Sequence, residues 1–338
     1  MLRPGLNDLL KQTSRSFYLT LRMLPHAIRP QISLAYLLAR TTDTIADTGI
    51  IPVEQRLEAL QKLQVRIAGR DMARLEFQEL ASHQDLPAEQ MLLQHVEESV
   101  AELDALPGPD AMLIRQVLET ITSGQELDLQ RFGGADEKNI FALANEAALD
   151  DYTFRVAGCV GKFWTEMCVT HLFQSPQTSE AGPRTFEELG VRFGKGLQLV
   201  NILRDLPGDL RKGRCYLPAD QLKQAGLAPA DLLLSGNEPR FWPVYTRYVD
   251  LAESYLAAGW DYTNLIPFTW PRLRLACAWP VLIGLETLKR LRATPVTNAT
   301  RRTKISRAEV RRIIFSSILR YPFRKSWQRL ARFKPRTP

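Results

Sequence analysis

Little in this chain of 338 residues could hold zinc or build a disulfide scaffold. Its four cysteines (Cys159, Cys168, Cys215, Cys277) show no C-x-x-C spacing, and its four histidines (His26, His83, His95, His171) stand singly. Structural zinc needs clustered ligands at short spacing, so such a site is excluded, and so few cysteines fit a reducing, intracellular setting. Long apolar runs are also missing. The longest is Leu275–Leu285, eleven residues interrupted by Pro280, and a bilayer-spanning helix needs about 20. Met1–Gln12 is polar and lacks the apolar block of a signal peptide, so a cytoplasmic location is expected. Alternating strand-like stretches and repeats of 20–50 residues are almost absent.

What remains is helical. Leu37–Ile45, Ala88–Leu106, Ala111–Leu127, Phe141–Leu172 and Phe186–Leu206 carry apolar residues every three or four positions with few breakers. Gly and Pro cluster at 106–110, 133–134, 174–183, 227–229 and 235–243, which reads as helix connections. The fold class expected is all-α: a single large helical bundle over residues 1–300, followed by an extension over 301–338. Charge divides the same way. Residues 301–338 carry 13 Lys/Arg and one acid, Glu309, whereas the first 300 carry 31 basic and 36 acidic groups; the net +7 therefore describes neither part.

One short pattern occurs twice. Asp43-Thr-Ile-Ala-Asp47 and Asp205-Leu-Pro-Gly-Asp209 share the spacing D-x-x-x-D. On a helix four residues turn through about 400°, so the two carboxylates lie one turn apart, about 40° from each other around the axis. Taken singly, such a pair is common on a solvated helix face. Both pairs here extend apolar helical sequence, where an unpartnered charge is costly. Each has an arginine close upstream, Arg40 and Arg204, and Arg211, Lys212 and Arg214 follow the second. Carboxylates for a hard cation such as Mg²⁺ beside arginines for phosphate oxygens make a diphosphate site.

At these residues the chain resembles the squalene/phytoene synthase family. Thr13-Ser-Arg-Ser-Phe17 is similar to the family's N-terminal S-R-S-F signature, and Tyr36-Leu-Leu-Ala-Arg40-Thr-Thr-Asp43-Thr-Ile-Ala-Asp47 to its first aspartate motif. Asp151-Tyr152-Thr-Phe-Arg-Val156-Ala-Gly-Cys-Val-Gly161 resembles the Y-x-x-x-V-A-G-x-V-G element. Gln198-Leu-Val-Asn201-Ile-Leu-Arg204-Asp205-Leu-Pro-Gly-Asp209 and Gly213-Arg214-Cys-Tyr216-Leu-Pro218 resemble the second motif and its sequel. The resemblance implies an isoprenoid-synthase fold with the two aspartate motifs facing one another across a central cavity. It also implies head-to-head condensation of two farnesyl diphosphates through presqualene diphosphate to squalene, with Mg²⁺ and NADPH.

The same resemblance assigns roles. Asp43, Asp47, Asp205 and Asp209 become Mg²⁺ ligands. Arg15, Arg40, Arg204 and Arg214 contact diphosphate oxygens, and Gln198 and Asn201 support that cluster. Ala46 and Gly208 stand where several family members carry another acid, so fewer carboxylates surround the metal here. Tyr152 is expected to assist proton removal or to stabilise the cation through its ring, and Tyr36 to do so more weakly. Ala157 and Gly158 leave room either for the isoprenoid chain or for close helix packing. Phe17, Phe163, Trp164, Leu197 and Trp279 read as core, with tunnel lining as the alternative.

The product divides the family. Gly194-Lys-Gly196 lies inside helical sequence, so no Rossmann cofactor loop is present. Thr303-Lys304-Ile-Ser-Arg307 resembles the K-I-x-R region that holds NADPH phosphates in squalene synthases, which makes Lys304 and Arg307 the cofactor residues. Phytoene or dehydrosqualene synthesis without reduction, or a partial enzyme that stops at presqualene diphosphate, uses the same motifs. A non-catalytic lipid-binding relative would have degenerate aspartate pairs, and both are intact. The basic extension carries no nucleic-acid-binding motif, so no nucleic-acid partner is expected. Ile313–Leu330 mixes Ile, Phe, Leu, Tyr and Trp with Arg and Lys, the pattern of a helix lying on an anionic membrane. Peripheral contact with the inner membrane face is one expectation, and a solvated basic tail is the alternative.

Overall fold

Helices form almost everywhere that the 3.6-residue periodicity places them. The computed structural model describes residues 3–14, 17–173, 182–294 and 303–333, and the chain divides into two compact units.

Unit 1 comprises Met1–Gly133 and Phe163–Pro176. It begins with α1 (Pro4–Ser14), α2 (Phe17–Met23), α3 (Arg29–Asp47) and α4 (Val53–Ile67). The short α5 (Gln78–Ser82), α6 (Pro87–Gln94) and α7 (Val96–Asp104) follow, and then α8 (Gly108–Arg131). Prolines open α3, α6 and α8, where a missing N–H costs nothing. The stretch Ala88–Leu106 was expected as one helix, but it breaks at His95, whose ring nitrogen Nδ1 meets Glu98 Oε1 at 2.8 Å. Leu34, Leu37, Leu38 and Ile45 of α3 are buried, and α3 packs on α8. Its threonines Thr41, Thr42 and Thr44 are buried yet satisfied, each donating its hydroxyl to a carbonyl three or four residues back.

Unit 2 comprises Gly134–Lys162 and Gln177–Pro338. Its first element is β1 (Phe141–Leu143), where helix was expected; Asn145 then caps α9 (Glu146–Thr153) by accepting from Ala148 N. The chain continues through a π-helical turn (Phe154–Gly158) into α10 (Cys159–His171), whose later part belongs to unit 1, and then α11 (Gly182–Leu210). β2 (Arg214–Pro218) pairs in parallel with β1. After it come α12 (Ala219–Gln224), two 3₁₀ turns, α13 (Glu238–Leu265) and α14 (Pro271–Leu291). Small residues bring these helices close: a Cβ on Gly161 would sit 1.9 Å from Gly190 O, and one on Gly194 2.1 Å from Ala157 O. Close packing is thus the use this stretch makes of its small residues.

The basic extension is folded onto unit 2. Instead of one amphipathic helix over Ile313–Leu330, there are two, α15 (Arg307–Arg320) and α16 (Arg324–Gln328). Ser306 and Glu309 form a reciprocal cap at the start of α15, and Arg290 pairs with Glu309. Trp279 Nε1 donates to Ser317 Oγ (2.9 Å), Tyr321 OH to Phe268 O (2.6 Å) and Trp327 Nε1 to Asn264 Oδ1 (2.9 Å). The Arg274 guanidinium lies 5.3 to 5.9 Å from the rings of Phe268, Trp327 and Tyr321. Aromatic residues expected to face a membrane, Tyr321 and Trp327, are therefore core. No helix is long and apolar enough to cross a membrane among the described residues.

Candidate active site

Within unit 1 the first aspartate pair occupies the last turns of α3. Gln125 of α8 donates from Nε2 to Asp43 Oδ1 at 2.5 Å. Arg40 pairs with Glu89 of α6 and stands 3.9 Å from Asp43 Oδ2; its Nε is buried without a hydrogen-bond partner among the described residues. Crowding by the protein and the like charge of Asp47 push the Asp43 carboxyl up to about 6, against the opposing pull of Arg40 and Gln125. Its side chain nevertheless keeps 48% of its exposure, so solvent and ligands reach the oxygens. Burial alone would lower the Arg40 pKa, but Asp43 and Glu89 together outweigh it and raise it. Tyr36 OH donates to Thr13 O of α1 at 3.2 Å, which anchors this residue to the backbone. Arg15, and the side chain of Phe17, lie outside the described residues.

The second pair lies in unit 2, on the final turns of α11. Arg204 grips Asp205 in a fork, Nε to Oδ1 at 3.0 Å and a terminal nitrogen to Oδ2 at 2.6 Å. Asn201 Nδ2 reaches Gln198 Oε1 at 3.5 Å, one turn N-terminal on the same face. Pro207, between the two aspartates, has no N–H to give to Leu203 O. Tyr245 of α13 supplies the missing donor: its hydroxyl bonds Leu203 O at 3.1 Å, and burial, then Glu238, raise its pKa. The helix therefore stays helical through Leu210 with a proline inside the motif.

Gly213 follows with φ +76°, and a Cβ there would fall 2.4 Å from Asp136 N, so the turn that launches β2 needs glycine. β2 carries Arg214, half-buried, and Tyr216, whose ring stacks on Tyr152 with centroids 4.6 Å apart. Tyr152 precedes the π-helical turn, a distortion that concentrates at functional sites. Unit 2 thus brings Tyr152 and Tyr216 together and sets Gln198, Asn201, Arg204, Asp205 and Asp209 along one stretch of α11. Lys304 and Arg307 stand apart at the start of α15. Both side chains are exposed, no carboxylate pairs with either among the described residues, and Arg290 holds the Lys304 carbonyl.

Sequence reading missed Gln125, Glu89 and Tyr245. A signal for Gln125 existed, since Thr122 and Gln125 interrupt the α8 face that otherwise carries Ile114, Leu118 and Ile121. The donor set suits Mg²⁺. No group of three or more His, Cys, Asp or Glu residues gathers among the described residues, but this ion commonly takes one or two carboxylates and fills its octahedron with phosphate oxygens and water. A half-exposed carboxyl held against its own ionisation is the electrostatic state that a cation relieves.

A bifunctional lycopene cyclase/phytoene synthase of Colletotrichum graminicola is 30% identical over 260 residues, 76% of this chain and 41% of that one. The chain spans about two fifths of the length of such bifunctional relatives. A presqualene diphosphate synthase of Zymomonas mobilis is 30% identical over 250 residues, covering 73% of this chain and 70% of that one. Among solved structures, TcSQS with the ligand BPH1237 superposes with a TM-score of 0.75 at 21% identity, covering 99% of this chain and 93% of that one. HpnC from Alicyclobacillus acidocaldarius, a squalene synthase, gives 0.60 at 19% identity, with 86% and 92% covered. These two likenesses establish the all-α isoprenoid-synthase fold. The squalene/phytoene synthase profile matches residues 10–309, and the chain belongs to that family.

Proposed function

We propose that the protein is a Mg²⁺-dependent prenyltransferase that condenses two farnesyl diphosphates head to head to presqualene diphosphate and reduces it with NADPH to squalene. The observation that carries the reading is the Asp43–Asp47 pair, two like charges one helical turn apart, with the Asp43 carboxyl half-exposed beside Arg40 and pushed up to about 6 by burial and by Asp47. Asp43, Asp47, Asp205 and Asp209 would hold Mg²⁺, which supplies Lewis-acid help to the departing diphosphate. Arg40, Arg204 and Arg214 orient diphosphate oxygens, with Arg15 proposed for the same task, and Gln198 and Asn201 steady the second cluster. Loss of diphosphate from one substrate leaves an allylic cation; the 2,3-double bond of the other attacks it, and loss of a proton closes the cyclopropane. Tyr152, backed by Tyr216, presents a ring face to positive charge and a hydroxyl that can carry the proton away. Tyr36 adds a second ring in unit 1. Lys304 and Arg307 would take phosphate oxygens of NADPH, which would supply the hydride that replaces the second diphosphate once presqualene diphosphate has ionised and rearranged. We place the enzyme in the cytoplasm, on the inner face of the membrane that receives its insoluble product.

A second reading, release of presqualene diphosphate without reduction, is favoured by the names of relatives from Zymomonas mobilis and Rhodopseudomonas palustris. Incubation with farnesyl diphosphate and Mg²⁺, with and without NADPH, separates them. Squalene that requires NADPH is expected; identical products under both conditions remove the reductive step, and no condensation product at all removes the reading. Asp43→Ala and Asp205→Ala are each expected to abolish turnover.

A further inference from the structure

Fourteen large apolar side chains are exposed among the described residues, and four of them fall within nine residues of the basic extension. Phe315, Ile318, Leu319 and Phe323 are 65%, 46%, 56% and 67% exposed. They are not left over from a disordered tail, because the opposite face of α15 is fixed through Ser317 and the following Tyr321 and Trp327 are core. At 100° per residue, Ile318, Arg311, Phe315, Leu319 and Arg312 share an arc of about 120°. That arc contains only apolar and cationic side chains. Glu309, the one acid of α15, lies well off it and is occupied by Arg290 and Ser306. Arg320, Arg324 and Lys325 flank it. Arg312 and Arg320 also border a groove of about 900 Å³ whose lining mixes Leu282, Leu285 and Leu330 with Arg332 and with two acids, Glu253 and Glu286.

We propose that this face docks the protein on an anionic phospholipid bilayer. Phe315, Ile318, Leu319 and Phe323 enter the boundary between headgroups and acyl chains, and the surrounding cations pair with lipid phosphates. A nucleic acid would use the arginines and gain nothing from four exposed apolar side chains, whereas an anionic lipid surface engages both the apolar side chains and the cations of this arc. The inference rests on the peripheral placement proposed above and names the surface responsible for it.

The test is co-sedimentation of the full chain with vesicles of phosphatidylcholine alone, or mixed with phosphatidylglycerol at about 3:1, a composition that sets the surface charge. Wild type is expected to pellet with the mixed vesicles and hardly with the neutral ones. Phe315→Ser/Leu319→Ser/Phe323→Ser is expected to weaken that binding at least about tenfold through lost apolar burial. Arg311→Gln/Arg312→Gln is expected to do the same, about tenfold, through lost charge. Both variants should keep wild-type turnover of detergent-dispersed farnesyl diphosphate, because every altered side chain is exposed. If wild type binds and both variants bind equally well, this face is the wrong one and the membrane placement stands. Wild type that ignores all vesicles overturns both, while the condensation assay continues to judge the chemistry separately. Loss of a dimer in the variants, in place of loss of vesicle binding, also overturns the proposal by identifying a second copy of the chain as the occupant.

Discussion

Replacing Asp43 with asparagine should abolish activity and at the same time stabilise the metal-free protein. The substitution keeps the shape and the acceptor for Gln125 but removes the charge that Asp47 and the surrounding protein oppose. A carboxyl raised from 3.8 to about 6 costs roughly 3 kcal/mol when it is ionised in the folded state. Because the side chain is 48% exposed, solvent screening reduces the net figure to about 1 kcal/mol. For a unit of this size that corresponds to a Tm gain of about 2–4 °C. The pH dependence has a definite sign. A carboxyl whose folded pKa lies above its unfolded one destabilises the fold at every pH above about 6, and the penalty fades as pH falls toward 4. Thermal melts in EDTA should therefore separate variant and wild type most at pH 7.5 and least at pH 5. Added Mg²⁺ with inorganic diphosphate should reverse the order, since only wild type gains ligand stabilisation, about 2.7 kcal/mol at a hundredfold excess over Kd. A variant that melts at or below the wild-type temperature at pH 7.5 in EDTA would refute the electrostatic account of this site.

Three further outcomes test other parts of the molecule. Tyr245→Phe leaves Leu203 O buried without a donor and should lower stability by about 1–3 kcal/mol in urea titrations; adding Pro207→Ala, which restores a backbone N–H to that carbonyl, should recover most of the loss. If the two effects simply add, the proline account of Tyr245 is wrong. Gly194→Ala forces a Cβ to 2.1 Å from Ala157 O and should cost about 3 kcal/mol or more, whereas Gly208→Ala meets nothing within 4 Å and should gain about 0.5–1 kcal/mol. Equal melting of the two would contradict the close helix approach. Tyr152→Phe keeps the stack on Tyr216 and the ring face but loses the hydroxyl. A fall in kcat of about a hundredfold with unchanged KM and Tm would assign that hydroxyl to proton transfer, and wild-type kcat would leave only the ring at work.

Much of the helical framework was legible because periodicity is a local property. The Leu37–Ile45, Ala111–Leu127 and Phe186–Leu206 patterns all lie inside observed helices, and within each pair the two aspartates lie one helical turn apart as their spacing required. What was not legible depends on distant partners. Gln125 meets Asp43 across 82 positions of sequence, and Tyr245 serves a carbonyl 42 positions away. Tyr245 leaves no trace in a window of helical length, and Gln125 shows there only as a polar interruption of the apolar α8 face, with nothing to name Asp43 as its partner. The strand at Phe141–Leu143 was hidden for the same reason, since its ladder partner among the described residues, β2, lies about 70 positions on. The basic extension failed differently. Its mixture of aromatic and cationic residues was read as one surface helix, whereas packing against Phe268, Arg274 and Trp279 drew Tyr321 and Trp327 inward and left Phe315, Ile318, Leu319 and Phe323 outside.

The parallel pairing of β1 with β2 carries a consequence for how the site is assembled in time. Residues 144–213 lie between the two strands, and closing a loop of that length costs on the order of 4 kcal/mol in chain entropy. A three-residue strand cannot repay that alone, so the pair forms only after α9 and α11 have docked on one another and brought its ends together. Gly213, Arg214 and Tyr216, which carry the chain from α11 into β2 and onto the stack with Tyr152, are therefore among the last to reach their places. In refolding, recovery of the Tyr152–Tyr216 stack should lag behind the return of helical signal.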